Sequence, residues 1–268
     1  GIDSKHVFVM KTVPDVAALT AYTKANEVKD VAVVGGGYIG LEVAENLKMA
    51  GYNVSLIEAQ DQIMAPLDYD MVQIINREIM KNGVDLILKD SVQAIGSDEV
   101  TLASGRTVKA QAVVMAIGVS PENALAKQAG LELGVAGSIK VNHHYQTSNP
   151  HIYAVGDAIE TTCFFTGQKT QLTLAGPAQR QARAAADHVY GRTYLNTGVI
   201  GSSSVKMFGL NSANTGLNEK QCQARGIAYD FAYIIPKDKV SIMPGAENLF
   251  FKLIFAVPSG KILGAQAV

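Results

Sequence analysis

A glycine-rich turn between two patterned segments constrains this chain more than any other stretch of its sequence. Residues 31–34 read Val-Ala-Val-Val, as in a buried strand, and Gly35, Gly37 and Gly40 follow with the spacing G-x-G-x-x-G. Apolar residues then recur at helical spacing as far as Gly51. The stretch predicts a strand, a tight turn and a helix, which is the local structure in which this fingerprint binds a dinucleotide.

Each glycine of the fingerprint is expected to have a different physical role. Gly35 permits the sharp turn off the strand, Gly37 removes a side chain that would block a pyrophosphate, and Gly40 lets the helix pack close to the sheet. The helix then directs its free backbone N–H groups and the positive end of its dipole at the phosphates. Tyr38 and Ile39 lie within the fingerprint and belong to the same candidate site.

A second predicted strand, residues 53–58, ends in a carboxylate. Glu58 follows Gly40 at nearly the spacing at which an acidic group accepts hydrogen bonds from the adenosine ribose hydroxyls. Such charge-assisted bonds contribute roughly 1.5–3 kcal/mol, whereas the carboxylate would repel a 2′-phosphate, and Ala59 and Gln60 add no cation. We therefore predict NADH rather than NADPH. The alternative is that Glu58 is only a solvated charge at a strand end.

Composition narrows the class of protein. The chain has 268 residues, 48% of them hydrophobic, enough for one large domain or two to three smaller ones. A formal net charge of −1 argues against nucleic acid or an anionic membrane as partner, and no apolar window is long enough to predict a membrane span. Cys163 and Cys222 are too far apart for a redox pair or zinc site, which favours free thiols in a reducing cytoplasm. His143 and His144 lack accompanying ligands, so no metal is predicted.

Strands and helices continue to alternate after Glu58. The pattern predicts a helix that Asp68 caps and a strand at residues 84–88, which together give a β-α-β-α-β unit with right-handed crossovers. Short strands between residues 92 and 108 read as a meander, and an apolar strand then ends at Ile117 and Gly118. Backbone at these two residues could approach the same nucleotide from the opposite side.

A second strand end with a carboxylate is predicted further along the chain. Residues 147–157 read as an apolar strand that ends at Gly156 and Asp157, at the edge of a sheet where open α/β folds bind ligands. A helix follows, and its N-terminus is a second end that attracts anions. The residues that introduce this helix are Ala175, Gly176 and Pro177.

These motifs together resemble those of the flavin-dependent pyridine nucleotide-disulfide oxidoreductases. The matching stretches are the fingerprint with Glu58, residues 115–118, residues 147–157 and the run from Thr166 to Arg183. The last of these is more similar to the branch of coenzyme A disulfide reductases, NADH oxidases, NADH peroxidases and persulfide reductases than to the glutathione reductase branch. The resemblance implies FAD and NADH as cofactors. It also implies hydride transfer from NADH to FAD and onward reduction of a small disulfide, such as coenzyme A disulfide, or of an oxygen species.

The resemblance also implies a domain order within the α/β class. A Rossmann-like NAD(H)-binding domain, residues 25–142, would be inserted in a partial FAD-binding domain, residues 1–24 and 143–197. Residues 198–268 would be part of an α+β dimerisation domain with strands at residues 203–207, 228–235 and 249–255, so the full-length protein is expected to be a homodimer. Compared with the family, the sequence is expected to begin near the end of the first flavin segment and to stop within the last domain. The family's active cysteine would then lie outside the chain, and the fragment alone is expected to be inactive.

Roles for single residues follow from the same resemblance. Asp157 would accept hydrogen bonds from the flavin's ribityl chain, while the helix after Ala175 and Gly176 points at the pyrimidine edge. Tyr38 would be a gate that covers the flavin until nicotinamide displaces it, and Glu42 would lie near the carboxamide of nicotinamide. Simpler roles stay open: a turn cap for Asp157, packing for Tyr38 and an exposed helix charge for Glu42. An NADH-binding module without turnover is the competing class of function.

Overall fold

Strands and helices alternate in the first part of the computed structural model, which describes residues 1–192 and 196–268. In chain order the elements are β1 (Val7–Val9), α1 (Val13–Ala25), β2 (Asp30–Val34), α2 (Tyr38–Met49), β3 (Asn53–Ile57), α3 (Tyr69–Lys81), β4 (Asp85–Ile87), β5 (Val92–Ile95), β6 (Glu99–Leu102), β7 (Thr107–Lys109) and β8 (Ala112–Met115). Five of the strands form a parallel sheet in the order β1-β8-β2-β3-β4. This sheet and its helical crossovers confirm the predicted α/β class.

The register of the parallel sheet brings the ends of three strands together. β2 and β3 are paired up to Val34 and Ile57, so Gly35 and Glu58 come next in each strand. β8 pairs with the other side of β2 and ends at Met115. All three strands therefore lead into loops at one carboxyl edge, which is where open parallel sheets bind ligands.

The predicted meander is a separate antiparallel sheet in the order β5-β6-β7. Its buried residues Val100, Leu102 and Val108 belong to one cluster with Ala32 and Ile57 of the parallel sheet. Strands buried on both faces are expected to be almost continuously apolar. The apolar run in β2 is explained in this way, because the meander packs on one side of it.

Residues Val119–Ser203 form a distinct unit with its own core. Its elements are α4 (Ala124–Gln128), β9 (Thr161–Thr162), β10 (Lys169–Thr170) and α5 (Ala175–Val189). Ile139, Tyr145 and Ile159 are buried together with Ala184 of α5. The helix that was predicted after Leu174 is confirmed, and Pro177 lies in its first turn. Backbone N–H groups in the first turn have no acceptor within the helix, so the N–H that proline lacks costs no hydrogen bond there.

The strand that was predicted within residues 147–157 is not formed. In the described structure this segment makes one isolated bridge, between Gln146 and Tyr153, and ends in the 3₁₀ turn Gly156–Ala158. Residues 152–155 are half-buried, as their apolar character predicts. A strand also requires a neighbour that pairs with its backbone groups. The apolar pattern therefore predicts the burial of this segment correctly, but it does not show whether another strand pairs with the segment.

The last part of the chain forms an antiparallel sheet, called the C-terminal sheet below. Its elements are β11 (Ser202–Met207), β12 (Leu210–Gly216), α6 (Glu219–Ala224), β13 (Tyr229–Ile234), β14 (Phe251–Ala256) and β15 (Ile262–Ala267), and the strand order is β11-β12-β15-β14-β13. The strands predicted near residues 203–207, 228–235 and 249–255 are confirmed. β12 was not predicted, because small and polar residues dominate it and strands favour branched and aromatic ones.

One buried cluster joins the C-terminal sheet to the parallel sheet. Val205, Met207 and Val268 belong to the same cluster as Met71 and Ile75 of α3. Residues Ser204–Val268 and Gly1–Gly118 accordingly form one unit. The C-terminal sheet is therefore close enough to the carboxyl edge of β2 to contribute to a site there.

Two glutamates hold the turn between β11 and β12 against the helices. Glu45 Oε1 on α2 accepts a hydrogen bond from the backbone N–H of Phe208 at 2.7 Å. Glu78 Oε1 on α3 accepts one from Gly209 at 3.2 Å. Phe208 has a positive φ of 49°, which is uncommon for a residue with a side chain. The two carboxylates thus satisfy backbone donors of a tight turn and fix β12 beside α2.

Across residues 1–192 and 196–268, every helix is too short or too polar to span a lipid bilayer.

Candidate nucleotide-binding site

The first glycine of the fingerprint makes the turn off β2. Gly35 has a φ of +107°, a left-handed conformation that residues with a side chain rarely adopt. Its N–H donates to Ile57 O at 2.8 Å. A Cβ at this position would overlap the carbonyl oxygen of Ala116, just after β8. Both the backbone conformation and the close approach therefore require glycine here.

The other two glycines differ in what a side chain would meet. Gly37 is the N-cap of α2, and a Cβ there would have no protein atom within 4 Å. A Cβ at Gly40 would overlap the carbonyl oxygen of Gly35 and lie 3.5 Å from Ala116 Cβ. Gly40 thus allows α2 to pack closely on the strand ends, whereas Gly37 leaves the start of the helix open.

Glu58 is oriented by two backbone donors. Its Oε2 accepts a hydrogen bond from Gly36 N–H at 2.7 Å, and its Oε1 accepts one from Gln60 N–H at 2.8 Å. An ionised carboxylate has about four acceptor positions. The half-buried side chain therefore keeps capacity to accept hydroxyl donors while its position beside the glycine turn is fixed.

A cavity of about 630 Å³ lies along this edge of the sheet. Six residues that the sequence singled out line it together: Gly35, Gly37, Tyr38, Glu58, Ile117 and Gly118. Its charged lining residues among those described are Glu58 and Asp90, and none is Lys or Arg. Hydrogen bonds from Ser104 hold the pKa of Asp90 below its ordinary value. The cavity is thus an acidic cleft at the start of α2.

Three other residues of the predicted site lie outside the lining of this cavity. Ile39 is 40% exposed, Gly40 is buried beneath the turn, and Glu42 is exposed on the next turn of α2. Gly40 acts through packing, as predicted. The suggested roles of Ile39 and Glu42 toward a nucleotide stay predictions.

Tyr38 has a partner that the sequence analysis missed. Its ring is half-buried and packs against the cluster shared by the two sheets. Its hydroxyl donates a hydrogen bond to Asn214 Oδ1 on β12 at 3.1 Å. No local signal could have identified Asn214, since 176 positions separate it from Tyr38.

The second predicted site lies in the unit Val119–Ser203. Like the first site, it has a glycine with a positive φ in a turn that packs on the start of a helix. Gly156 has a φ of +80°, and its N–H donates to the buried Gln181 Oε1 at 2.7 Å. A Cβ at Gly156 would lie 3.7 Å from Ala178 Cβ, so the turn packs on the first turn of α5. Asp157, Ala175 and Gly176 are exposed. These predicted residues therefore lie together at the exposed start of α5. The structure also shows Gln181, which the sequence analysis did not identify, holding the turn at Gly156.

Asp68 takes a different role from the predicted one. It occupies the N-cap position of α3, yet its side chain makes no capping hydrogen bond. Instead Oδ1 accepts from Glu219 N–H at 2.8 Å and Oδ2 accepts from Gln266 Nε2 at 2.7 Å. Lys252 Nζ lies 3.2 Å from the same carboxylate. Competition from these donors in the C-terminal sheet and α6 explains why the cap is absent.

Lys252 is the centre of a buried ion network. Only 1% of its side chain is exposed, and its ammonium contacts Asp68, Asp70 and Glu219. Burial by itself lowers the pKa of Lys252, but the hydrogen bonds to Glu219 and Asp70 and the charge of Asp68 outweigh it, so the pKa is raised. The three carboxylates lie close enough to hold a metal ion. Lys252 already supplies the positive charge at their centre, and the network joins α3 to the C-terminal sheet.

The parallel sheet, the glycine turn and the carboxylate at the next strand end define a dinucleotide-binding α/β protein. Residues 1–182 match the family model described as pyridine nucleotide-disulphide oxidoreductase. The chain belongs to that family, which confirms the resemblance found in the sequence.

Individual relatives show the same likeness. The chain is 33% identical to an NAD(P)H sulfur oxidoreductase (CoA-dependent) of Pyrococcus abyssi, covering 100% of this chain and 61% of that protein. It is 34% identical to an NADH oxidase of Methanocaldococcus jannaschii, covering 100% and 60%. The crystal structure of reduced Bacillus anthracis CoADR-RHD has a TM-score of 0.96 and 42% identity, covering 98% of this chain and 48% of that one. The chain thus spans about three fifths of the length of these two curated relatives.

Proposed function

We propose that this chain is the nucleotide-binding portion of an FAD-dependent oxidoreductase that takes hydride from NADH and reduces a small disulfide, with coenzyme A disulfide as the first candidate. The observation that carries the proposal is the cavity in which the open helix start at Gly37 and the oriented carboxylate of Glu58 lie together. A helix start accepts a diphosphate, and a carboxylate at the end of the next strand accepts ribose hydroxyls.

Binding of NADH would use groups that are already in place. Backbone N–H groups at the start of α2 would bind the pyrophosphate, in the space that a side chain at Gly37 would fill. Glu58 would accept the ribose hydroxyls with the acceptor positions that Gly36 and Gln60 leave unused. The exposed Ile117 would give the nicotinamide end an apolar surface. The chain's contribution is therefore to orient the dinucleotide along the edge of the sheet.

Preference for NADH over NADPH follows from the charges of the cavity. A 2′-phosphate beside Glu58 would lie next to a carboxylate and, among the described lining residues, would meet no Lys or Arg. Asp90 adds a second negative charge to the same lining. Hydrogen bonds from Gly36 to Glu58 and from Ser104 to Asp90 hold both carboxylates in place, so moving either away from the phosphate would break these bonds.

The residues at the start of α5 fit a flavin. Asp157 and the first residues of α5 are exposed together, and a Cβ at Gly176 would meet no protein atom within 4 Å. Asp157 would accept hydroxyl donors of the ribityl chain. The start of a 15-residue helix favours nearby negative charge by roughly 0.3–1 kcal/mol. Bound FAD would supply the two-electron acceptor for the hydride of NADH.

The electron acceptor is proposed from the relatives. A CoA-dependent sulfur oxidoreductase among them supports a small disulfide or persulfide, and the NADH oxidase supports dioxygen as the second candidate. Steady NADH consumption by the full-length protein without disulfide, matched by oxygen uptake, would favour the oxidase. A chain that binds NADH yet stays colourless after incubation with FAD would favour the module without turnover.

The other expectations of the resemblance are part of the same proposal. The domain boundaries at residues 24, 142 and 197, the homodimer of the full-length protein and the gate role of Tyr38 stay predictions. Neither Cys163 nor Cys222 forms a disulfide in the structure, and the reducing cytoplasm stays part of the proposal.

Substitution of Glu58 tests the NADH proposal. We expect Glu58→Gln to weaken NADH binding roughly tenfold to a hundredfold, because charge-assisted bonds to the ribose are lost, and to narrow the preference over NADPH. Glu99→Gln, at an exposed carboxylate on β6, is the matched control and should leave both affinities unchanged. Fluorescence titrations of the parent and both variants with NADH and with NADPH measure the six affinities. Equal affinity of the parent chain for the two nucleotides would contradict the proposed preference.

A further inference from the structure

A buried asparagine at the start of α6 contacts the loop that follows Glu58. Asn218 is buried, and its Nδ2 donates a hydrogen bond to the carbonyl oxygen of Ala65 at 2.9 Å. Ala65 and Pro66 line the same cavity as Glu58. We propose that Asn218 is a positioning residue for nucleotide binding, which holds the peptide between Ala65 and Pro66 as a wall of the adenosine end of the cavity. The inference rests on the proposed NADH site and deepens it.

Contacts at Gly36 place this loop on the side of the cavity where adenosine would bind. Met64 N–H donates to the carbonyl oxygen of Gly36 at 2.8 Å. A Cβ at Gly36 would overlap the side chain of Ile63 and lie 3.2 Å from Glu58 Oε2. The loop therefore adjoins the carboxylate that would accept the ribose hydroxyls, and it continues into the cavity lining at residues 65–66.

The two roles of the Asn218 side chain explain why asparagine is needed here. Its Oδ1 accepts a hydrogen bond from Gln221 N–H at 2.8 Å and so caps α6. Asn, Asp and Ser cap a helix about equally well, because each offers an oxygen acceptor. Of the three, asparagine also carries an amide donor. With the oxygen used by the cap, the amide nitrogen is left to bind Ala65, so this donor serves the loop rather than the helix.

The peptide that receives this bond is less well packed than the residues on either side. Met64 and Leu67 are buried, whereas Ala65 is exposed and Pro66 is half-buried. Proline has no N–H, so the carbonyl oxygen is the hydrogen-bonding group of this peptide. The end of the loop is anchored separately, by the hydrogen bonds of Asp68 to α6 and β15. Loss of the asparagine donor therefore frees the stretch that lines the cavity and leaves the flanking anchors in place.

A wall that is ordered in the empty site favours binding. A segment that must be immobilised on association reduces the affinity, because its conformational freedom is lost at that step. Without the bond from Asn218, residues 65–66 would have to be ordered by the ligand itself. A ligand that contains adenosine should then bind more weakly, and one that lacks adenosine should be unaffected.

The test compares ligands with and without adenosine. We expect Asn218→Ser, which keeps an oxygen for the helix cap and removes the amide donor, to raise the Kd for NADH and for ADP-ribose by the same factor. That factor is about two- to tenfold, the effect of one neutral hydrogen bond. In the full-length protein with FAD, kcat/KM for reduced nicotinamide mononucleotide, which lacks adenosine, should stay unchanged. Asn218→Thr keeps the cap and fills more of the space, so it is the second variant and should behave in the same way.

A bond of the same kind elsewhere in the chain provides the matched control. Asn123 is the N-cap residue of α4, and its Nδ2 donates to the carbonyl oxygen of Gly137 at 2.7 Å. Asn123→Ser removes this donor within the unit Val119–Ser203. It should leave the Kd values for NADH and ADP-ribose unchanged, even where it lowers the free energy of unfolding.

Several results would overturn the inference. Weaker binding of NADH alone, or a lower kcat/KM for reduced nicotinamide mononucleotide, would place the effect outside the adenosine end. An equal loss of affinity in Asn123→Ser would mean that general stability sets the affinity. Failure of the proposed function looks different, because the parent chain would then bind neither NADH nor ADP-ribose. A parent chain that binds both, with folded Asn218→Ser and Asn218→Thr variants indistinguishable from it, refutes this inference alone.

Discussion

Gly37 and Gly40 show how the same residue type serves binding at one position and folding at another. Gly37 has an ordinary extended backbone, with φ at −81°, and a Cβ would point into open space. Gly40 is helical, and a Cβ would run into the carbonyl oxygen of Gly35. At Gly37, therefore, no protein atom excludes a side chain and the proposed pyrophosphate would, whereas at Gly40 the protein's own backbone excludes one.

Alanine at these two positions should separate affinity from stability. Gly37→Ala is expected to change the free energy of unfolding by less than about 1 kcal/mol and to weaken NADH binding at least about tenfold, because the methyl group takes phosphate space. Gly40→Ala is expected to destabilise by about 1–3 kcal/mol, as overpacking does. Urea unfolding and NADH titration of both variants measure the two effects. Normal NADH binding by Gly37→Ala would show that no phosphate lies at the start of α2.

The buried network around Lys252 is the main polar connection between α3 and the C-terminal sheet. The ammonium also lies 4.3 Å from the centre of the Phe231 ring. Removing one partner of a buried ion pair leaves the others without compensation and typically costs 3–5 kcal/mol. An exposed pair, such as Lys220 with Asp61 at 3.5 Å, contributes about 0–1 kcal/mol. The contrast depends on burial, since both lysines contact carboxylates.

Methionine in place of Lys252 should therefore reduce stability and alter its pH dependence. We expect Lys252→Met to lose about 3–5 kcal/mol at neutral pH, and Lys220→Met to lose less than about 1 kcal/mol. The raised pKa of Lys252 means that the folded state binds this proton more tightly than the unfolded state. Its contribution is complete below the ordinary lysine value of about 10.5 and is lost as the pH rises through the raised value.

Urea unfolding at several pH values up to about 11.5 measures this effect. Subtracting the curve of Lys252→Met from that of the parent isolates the alkaline loss, because other groups titrate in both proteins. A difference between parent and variant that stays constant across the alkaline range would contradict the raised pKa.

Elements with a strong local pattern were predictable, and contacts between distant elements were not. The glycine turn, Glu58, the meander and the start of α5 follow from residues close together in the chain, and the structure has all of them. Asp68 was assigned to a helix cap, since its partners Glu219, Lys252 and Gln266 come 151 to 198 positions later. Asn214 could not be identified from the sequence for the same reason, because it lies 176 positions after its partner Tyr38. Sequence periodicity reports burial, whereas the choice of hydrogen-bond partner is made by the tertiary structure.

Within the described residues, several large apolar side chains are exposed on β13 and on the segment that follows it. Phe231 is 41% exposed, Tyr233 37% and Ile234 53%, and Ile242 further on is 91% exposed. β13 is an edge strand of the C-terminal sheet, and exposed apolar edge strands pair readily with other chains. This surface is where the proposed homodimer would form its contact.

A charge on this strand should therefore prevent association without changing nucleotide binding. We expect Ile234→Lys in the full-length protein to shift a dimer to monomer in sedimentation measurements, since a lysine would have to be desolvated at the contact. NADH affinity should stay within about twofold of the parent, because no residue of β13 lines the cavity at Glu58. Val13→Lys, at a residue of α1 that is 82% exposed, is the control. A variant that remains dimeric would place the contact elsewhere.

The cluster that contains Met71, Ile75, Val205, Met207 and Val268 ties the parallel sheet and the C-terminal sheet to one set of buried contacts. Neither sheet can lose its packing while the other keeps it, so heating should melt them in a single calorimetric endotherm. A nucleotide that binds only at the edge of the parallel sheet would then protect the C-terminal sheet from heat equally, by mass action on their joint unfolding.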